Sequence, residues 1–252
     1  MMVLLAAGAT TFGFTALLTI AGVGAAFVLI PVFLALGVEV HVAMATALLL
    51  NAVAMAVASV KFVRKRLVVW SIALPMVLVA SALAPVGAWV SLGLDREVLL
   101  RVFVAFLVFA ALMMLFYRPR VRESTSGFAL LLGVGVGVGA LAGFVGGLLG
   151  VGGGNIIVPA LVALGFDPKK ASASTSFVVI FSSLSGFFGH ATLAGIDYAL
   201  LGVTTTASAG GALLGAWLMT EKLKSPQVKT LIGVVLLAIA AKMALQGSRV
   251  LA

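Results

Sequence analysis

Charged residues punctuate this chain at long intervals, and what lies between them is strongly apolar. Charge-free runs cover residues 1–38, 40–60, 67–94, 102–117, 124–166, 171–196 and 198–220, and a last apolar run extends over about 226–246. About 20 apolar residues are enough to cross the hydrocarbon core of a bilayer, so the pattern predicts an all-α polytopic membrane protein. The first and fifth runs are too long for one helix. Each is interrupted by glycine, in AGVGAAF at 21–27 and in LGVGGGN at 149–155. Glycine and proline cost roughly 1 and 3 kcal/mol relative to alanine inside a helix. Each long run therefore reads as a long helix (about 3–20 and 127–148), a break, and a short helix of about a dozen residues ending at Gly37 or Gly165. A dozen residues cannot span the bilayer.

Composition agrees with this pattern. The 252 residues are 63% hydrophobic and 9% charged, whereas soluble domains carry about 25% charged residues. The net charge of +9 does not point to nucleic acid, because Lys and Arg fall almost entirely in short loops between apolar runs, as in a positive-inside membrane protein. With no cysteine, disulfides and thiolate metal sites are excluded, and no cofactor or metal is expected. The N-terminal MMVLLAAGATTFGFTALLTI lacks the basic start of a signal peptide and is read as part of the mature fold.

The chain repeats itself. A shift of 128 residues lays GVGAAFVLIPVFLALGVEVHVAMA on GVGGGNIIVPALVALGFDPKKASA, with 9 of 24 positions identical (Gly22, Val23, Gly24, Pro31, Ala35, Leu36, Gly37, Ala43 and Ala45). The same shift lays GAW at 87–89 on GAW at 215–217. Residues 1–117 are read as a first membrane repeat, 118–126 as a basic cytoplasmic linker and 127–252 as a second repeat, each a broken or re-entrant helix followed by three transmembrane helices.

Loop charges set the relative orientation of the copies. Lys61, Arg64, Lys65 and Arg66 crowd the loop after the second membrane helix, while its counterpart at 190–197 has no Lys or Arg; the next loop pair reverses the bias. If each broken segment enters and leaves on one side, 12 basic residues face the cytoplasm against 4 outside; if each crosses once, the tally is 9 against 7. The positive-inside rule thus favours inverted repeats with both termini outside. Gly135, Gly139, Gly143 and Gly147 form one glycine face, and Ala80, Ala84 and Ala88, with Ala207, Gly211 and Gly215, repeat the four-residue spacing. Small residues at that spacing let membrane helices approach closely.

A broken helix in a membrane leaves backbone groups unpaired, which is tolerated only inside protein or against a water-filled cavity. The short helix starting near Asn155 offers free N–H donors and the positive end of its dipole, and its mate in the first copy offers a second. Two such ends make an anion site without a buried Arg or Lys. The candidate substrate-binding residues are Gly22 and Gly24 in the first break and Gly152, Gly153, Gly154 and Asn155 in the second. Ser174, Thr175 and Ser176 follow the second break, with Thr46 and Asn51 in the matching stretch of the first copy. Asn155 fits an N-cap as well as a ligand contact, and Asn51 fits an interhelical hydrogen bond as well as a cavity. Pro31 and Pro159 are read as shaping residues, and His41 and His190 as interfacial. No carboxylate lies deep within an apolar run, where a proton carrier would sit.

The stretch GVGGGNIIVPALVALGFDPKKASASTSF resembles the glycine-rich break, proline and Thr-Ser helix of the TauE/SafE family of sulfite and organosulfonate exporters. The resemblance extends over nearly the whole chain, through GAWLMTEKLKSPQVKTLIG, while the first copy departs from it with GVGAAF. It implies a multi-pass transporter, expected to be an exporter, of the inner (cytoplasmic) membrane for small sulfur-containing anions such as sulfite or organosulfonates; alternating access around an anion held between the two breaks is the mechanism expected from the breaks themselves. The expected partners are a small anionic substrate and the lipid bilayer, with a homodimer left open and no nucleic acid. A passive anion channel is the alternative. A membrane-embedded enzyme is the weaker one, because no cluster of Glu, Arg and His and no Ser-His-Asp set occurs.

Overall fold

A computed structural model describes residues 2–35, 40–91, 128–190 and 198–250, with short helical pieces between 104 and 116. The linker at 118–126, the loop at 191–197 and the outer-loop residues Arg96 and Arg101 lie outside the described residues, as do the side chains of Pro31, His41 and His190.

The described chain is helical. The helices are α1 (Met2–Ala21), α2 (Ala26–Ala35), α3 (Val40–Arg64), α4 (Trp70–Val90), α5 (Phe128–Leu148), α6 (Gly154–Ala163), α7 (Pro168–His190), α8 (Tyr198–Trp217) and α9 (Ser225–Val250). A π-helical turn, Leu218–Lys222, ends α8. Among the described residues α3, α4, α5 and α7 are each long and apolar enough to cross a membrane, which makes this a multi-pass membrane protein. Both glycine-rich interruptions are real breaks. Glycine takes positive φ at 22 and 24 in the first and at 150, 152 and 153 in the second, between 69° and 82°, a region that side chains with a Cβ disfavour. The short helices α2 and α6 have 10 residues each, about 15 Å of rise.

Small residues bring the long helices together. A Cβ on Gly135 would lie 3.2 Å from the Ile72 carbonyl oxygen, one on Gly139 3.0 Å from Met76 Cα and one on Gly143 2.5 Å from Ala80 Cα, while Gly147 backs onto Ala84. Residue numbers rise together along this seam, so α4 and α5 run parallel. The α1–α8 seam is also parallel: Gly8 faces Val203, Gly211 faces Phe12 and Gly215 faces Ala16. Between α4 and α7, Trp70 meets Phe177 edge-on at 4.9 Å, Ser185 Oγ donates to the Ser81 carbonyl at 2.6 Å, and Gly189 packs on Pro85 and Ala88. That seam is parallel as well, so α5 and α7 share one direction. Between α3 and α7 the order reverses, with Asn51 bonded to Ser183 and Leu48 packed on Gly186. These two helices are antiparallel.

The seams come in pairs related by the 128-residue shift. Gly87 against the Phe144 carbonyl has its counterpart in Gly215 against the Ala16 carbonyl, and Gly22 against Ser172 in Gly150 against Met44. The core runs through the middle of this arrangement and includes Leu29, Phe33, Met55, Ile72, Met76 and Ile157, each at most 1% exposed.

Lys65 Nζ lies 2.8 Å and Lys61 Nζ 3.7 Å from Glu221 Oε1, and Lys169 Nζ donates to the Thr220 carbonyl at 3.5 Å. The end of α3, the start of α7 and the end of α8 thus meet at one basic end of the bundle.

Candidate functional site at the paired helix breaks

The two breaks touch. A Cβ on Gly154 would fall 2.6 Å from the Val23 carbonyl oxygen, and one on Gly152 would run into Ser183 Oγ and lie 3.0 Å from Asn51 Nδ2. Glycine is required here for conformation and for this close approach of backbone to backbone. Gly152, Gly153, Gly154, Asn155 and the first-break residues Gly22 and Gly24 therefore gather in one buried region, as their repeat suggests.

Asn51 stands between them. Its Oδ1 accepts the Ala25 amide at 2.9 Å, the first amide of the α2 turn, and its Nδ2 donates to Ser183 Oγ at 2.9 Å. The amide orientation follows from Ala25, whose N–H can only donate. Asn51 is fully buried, and of its two readings from sequence the structure uses the interhelical one. Beside it, Ser182 Oγ donates to the Gly152 carbonyl at 2.9 Å, fixing the second break to α7.

The second break is left open. Gly153 is the N-cap of α6 with φ 78° and offers no side chain to the helix end. The backbone bonds around it lead from Val151 and Gly152 to the Gly146 carbonyl and from Ile156 and Ile157 to the Gly153 carbonyl. The amides of Gly153, Gly154 and Asn155 have no acceptor among the described residues. Asn155 is 1% exposed, and both its Oδ1 and its Nδ2 lack a hydrogen-bond partner. A buried amide left this way costs about 1–3 kcal/mol. An N-cap bond, the other reading of Asn155, is not made. Pro159 lies inside α6 and has no N–H to return to the Asn155 carbonyl.

The hydroxyls after the break divide. Ser174 Oγ accepts the Val69 amide at the start of α4 at 2.9 Å, and Ser176 Oγ donates to the Ser172 carbonyl at 2.9 Å. The first ties α7 to α4, and the second stays within α7. Thr175 is fully buried with an unpaired hydroxyl, and Thr46 is buried in α3. Ser182 and Ser183 carry more of the site than the trio before them. A separate buried column on α1 faces α8: Thr15 Oγ1 lies 3.4 Å from Ser208 Oγ, and Thr11 and Thr19 keep unpaired hydroxyls. Its signal was the four-residue spacing of Thr11, Thr15 and Thr19. Among the described residues no group of three or more His, Asp or Glu comes together to hold a metal ion.

This arrangement presents only neutral N–H, amide and hydroxyl groups at the positive end of a short helix. It can bind a dehydrated anion by hydrogen bonds and the helix dipole.

The family model "Sulfite exporter TauE/SafE" matches residues 5–243. Over 115 residues, 45% of the chain, it is 30% identical to a probable membrane transporter protein, YunE, of Bacillus subtilis, of which the match covers 42%. Over 69 residues, 27% of the chain, it is 45% identical to sulfite exporter TauE/SafE family protein 6 of Arabidopsis thaliana, of which the match covers 14%. A probable membrane transporter protein of Haemophilus influenzae is 34% identical over 95 residues, 38% of the chain and 35% of that protein. The matches thus span less than half the length of these relatives. No solved structure matches. With a family match over nearly its whole length, this chain belongs to the sulfite exporter TauE/SafE family.

Proposed function

We propose that this protein is a transporter of the inner membrane, and not an enzyme, that exports small sulfur-containing oxyanions such as sulfite or organosulfonates. The observation that carries the reading is the buried Asn155 amide, unpartnered beside the free amides of Gly153 and Gly154. Family membership and the names of the relatives supply the anion class. Gly152, Gly153, Gly154 and Asn155 hold the anion, with Thr175 as a further donor, while Gly22, Gly24, Thr46, Asn51, Ser174 and Ser176 build the walls.

The transport mechanism is alternating access between two inverted repeats, 1–117 and 127–252, joined by a cytoplasmic linker at 118–126. Two geometrical facts support it. The repeat mates α3 and α7 run antiparallel, as a two-fold axis in the membrane plane requires. And α5 and α7 run the same way, so the chain between them must return; α6 supplies that return as a re-entrant segment, since about 15 Å of helix cannot cross about 30 Å of hydrocarbon. The basic end formed by Lys61, Lys65, Lys169 and Glu221 faces the cytoplasm on the positive-inside rule.

The test is transport in proteoliposomes with a panel of sulfite, thiosulfate, sulfonates and sulfate. Saturable sulfite or sulfonate flux with counterflow is expected. Flux without saturation or counterflow makes the protein a channel, and no flux of any sulfur oxyanion sinks the reading.

A further inference from the structure

The two breaks are built alike but finished differently. Under the 128-residue shift Gly24 corresponds to Gly152, Ala25 to Gly153, Asn51 to Val179, Leu18 to Gly146 and Phe27 to Asn155. The contacts follow the same correspondence: a Cβ on Gly24 would strike the Asn51 amide, and one on Gly152 would lie 3.4 Å from Val179 Cγ1. Asn51 and Val179 therefore occupy equivalent places, each over its own break.

Their chemistry is opposite. Asn51 places an oxygen on the Ala25 amide at 2.9 Å. Val179 is fully buried and has no acceptor to give, and the Gly153 amide has none among the described residues. Two further differences act the same way. At position 146 glycine replaces leucine, and any Cβ there would run into the Gly153 amide, 2.7 Å from Gly153 Cα. At position 155 an amide replaces an aromatic ring, and that amide is buried and unpaired. Each difference withholds a protein group from the second helix end or adds a donor to it.

We propose that one oxygen of the substrate takes, on the Gly153 amide, the place that Asn51 Oδ1 takes on the Ala25 amide. Asn51 is then a built-in surrogate ligand on the Ala25 amide of the first break, and the chain binds a single anion, at the second. The donors it meets are hard, neutral N–H groups, which match the oxygens of an –SO3⁻ head and give thiolate or sulfide sulfur nothing to prefer. This rests on the anion-binding reading above and sharpens it: one site per chain, one repeat that binds and one that is permanently capped.

Replacing Val179 with Asn would supply the second break with its own surrogate. The experiment titrates sodium sulfite and sodium methanesulfonate into the purified full-length protein by calorimetry, and follows thermal unfolding in detergent with and without each anion. The wild type is expected to bind one anion per chain. Val179→Asn is expected to lose at least about tenfold in affinity while still unfolding cooperatively without anion, because the Gly153 amide gains an acceptor whatever the cost of burying the new Nδ2. Val179→Leu, of similar bulk but without an acceptor, is expected to stay within about threefold of the wild type. Wild-type affinity in Val179→Asn, equal losses in both variants, or two anions per wild-type chain would each overturn the inference while leaving the anion-binding reading intact. A wild type that binds neither anion removes both. Should Val179→Asn fail to fold, Val179→Thr, which keeps the shape of valine and adds a hydroxyl acceptor, takes its place and is expected to weaken binding more than Val179→Leu does; binding equal to the wild type there overturns the inference.

Discussion

The Nδ2 of Asn51 on α3 donates to Ser183 Oγ on α7 across 2.9 Å, joining two residues 132 positions apart at the contact between the two breaks. Because the same side chain also takes the Ala25 amide, one buried amide ties the first break to α7, which holds the second break through Ser182. Asn51→Leu leaves both partners unpaired in the interior and is expected to destabilise by about 2–4 kcal/mol. Ser183→Ala should cost about 1 kcal/mol, and a double-mutant cycle by thermal unfolding should return a coupling of about 0.5–3 kcal/mol. Additive losses would show that the bond is not formed.

Asn155→Ala should separate stability from binding. Its amide is buried without a partner, so removing it relieves a desolvation cost of about 1–3 kcal/mol. Thermal unfolding without anion is expected to be unchanged or to rise, while the stabilisation produced by added sulfite falls at least about tenfold in its concentration dependence. A variant less stable than the wild type that still binds sulfite normally would mark Asn155 as a structural residue only.

Two glycines on one helix should respond in opposite senses. A Cβ on Gly143 would press 2.5 Å from Ala80 Cα, whereas nothing lies within 4 Å of one on Gly137. Gly143→Ala is expected to destabilise by about 1–3 kcal/mol through overpacking. Gly137→Ala should be neutral or stabilise by up to about 1 kcal/mol, since alanine is the better helix former. Denaturation of the two variants in the same detergent makes the comparison.

Accessibility measurements test the arrangement of the repeats. Cysteines introduced at Arg64 and at Lys224 should label from the same side, since Lys65 and Glu221 pair there. Cysteines at 192–196 should label from the other. A common side for all of them rules out the inverted arrangement.

Glu221 gives the basic end a pH dependence. Hydrogen bonding to Lys65, then the charge of Lys65, hold its carboxyl below its ordinary value. A carboxyl depressed in the folded state contributes stability that is present above its unfolded pKa and is lost as pH falls through the folded one. The wild type should therefore lose its advantage over Glu221→Gln as the pH drops below the usual carboxylate range, and also in about 1 M salt, where screening acts within about 3 Å. An advantage that persists at both low pH and high salt would assign it to packing.

The sequence by itself determined the membrane class, the helical runs, the two breaks and the 128-residue echo. The reason is that hydrocarbon dictates the length and composition of any span, and glycine readily takes the positive φ that each break uses. It also brought Gly152 to Asn155 forward as a group. Only the tertiary structure decided which polar groups in that group are free. Asn51 and Ser174 look as available as Asn155 when read along the chain, yet Asn51 is bonded to Ala25 and Ser183 and Ser174 to Val69, while the side chain of Asn155 is bonded to nothing among the described residues. A hydrogen bond forms only between groups brought within about 3 Å at the right angle, and between segments more than a hundred residues apart that approach is set by how the helices pack.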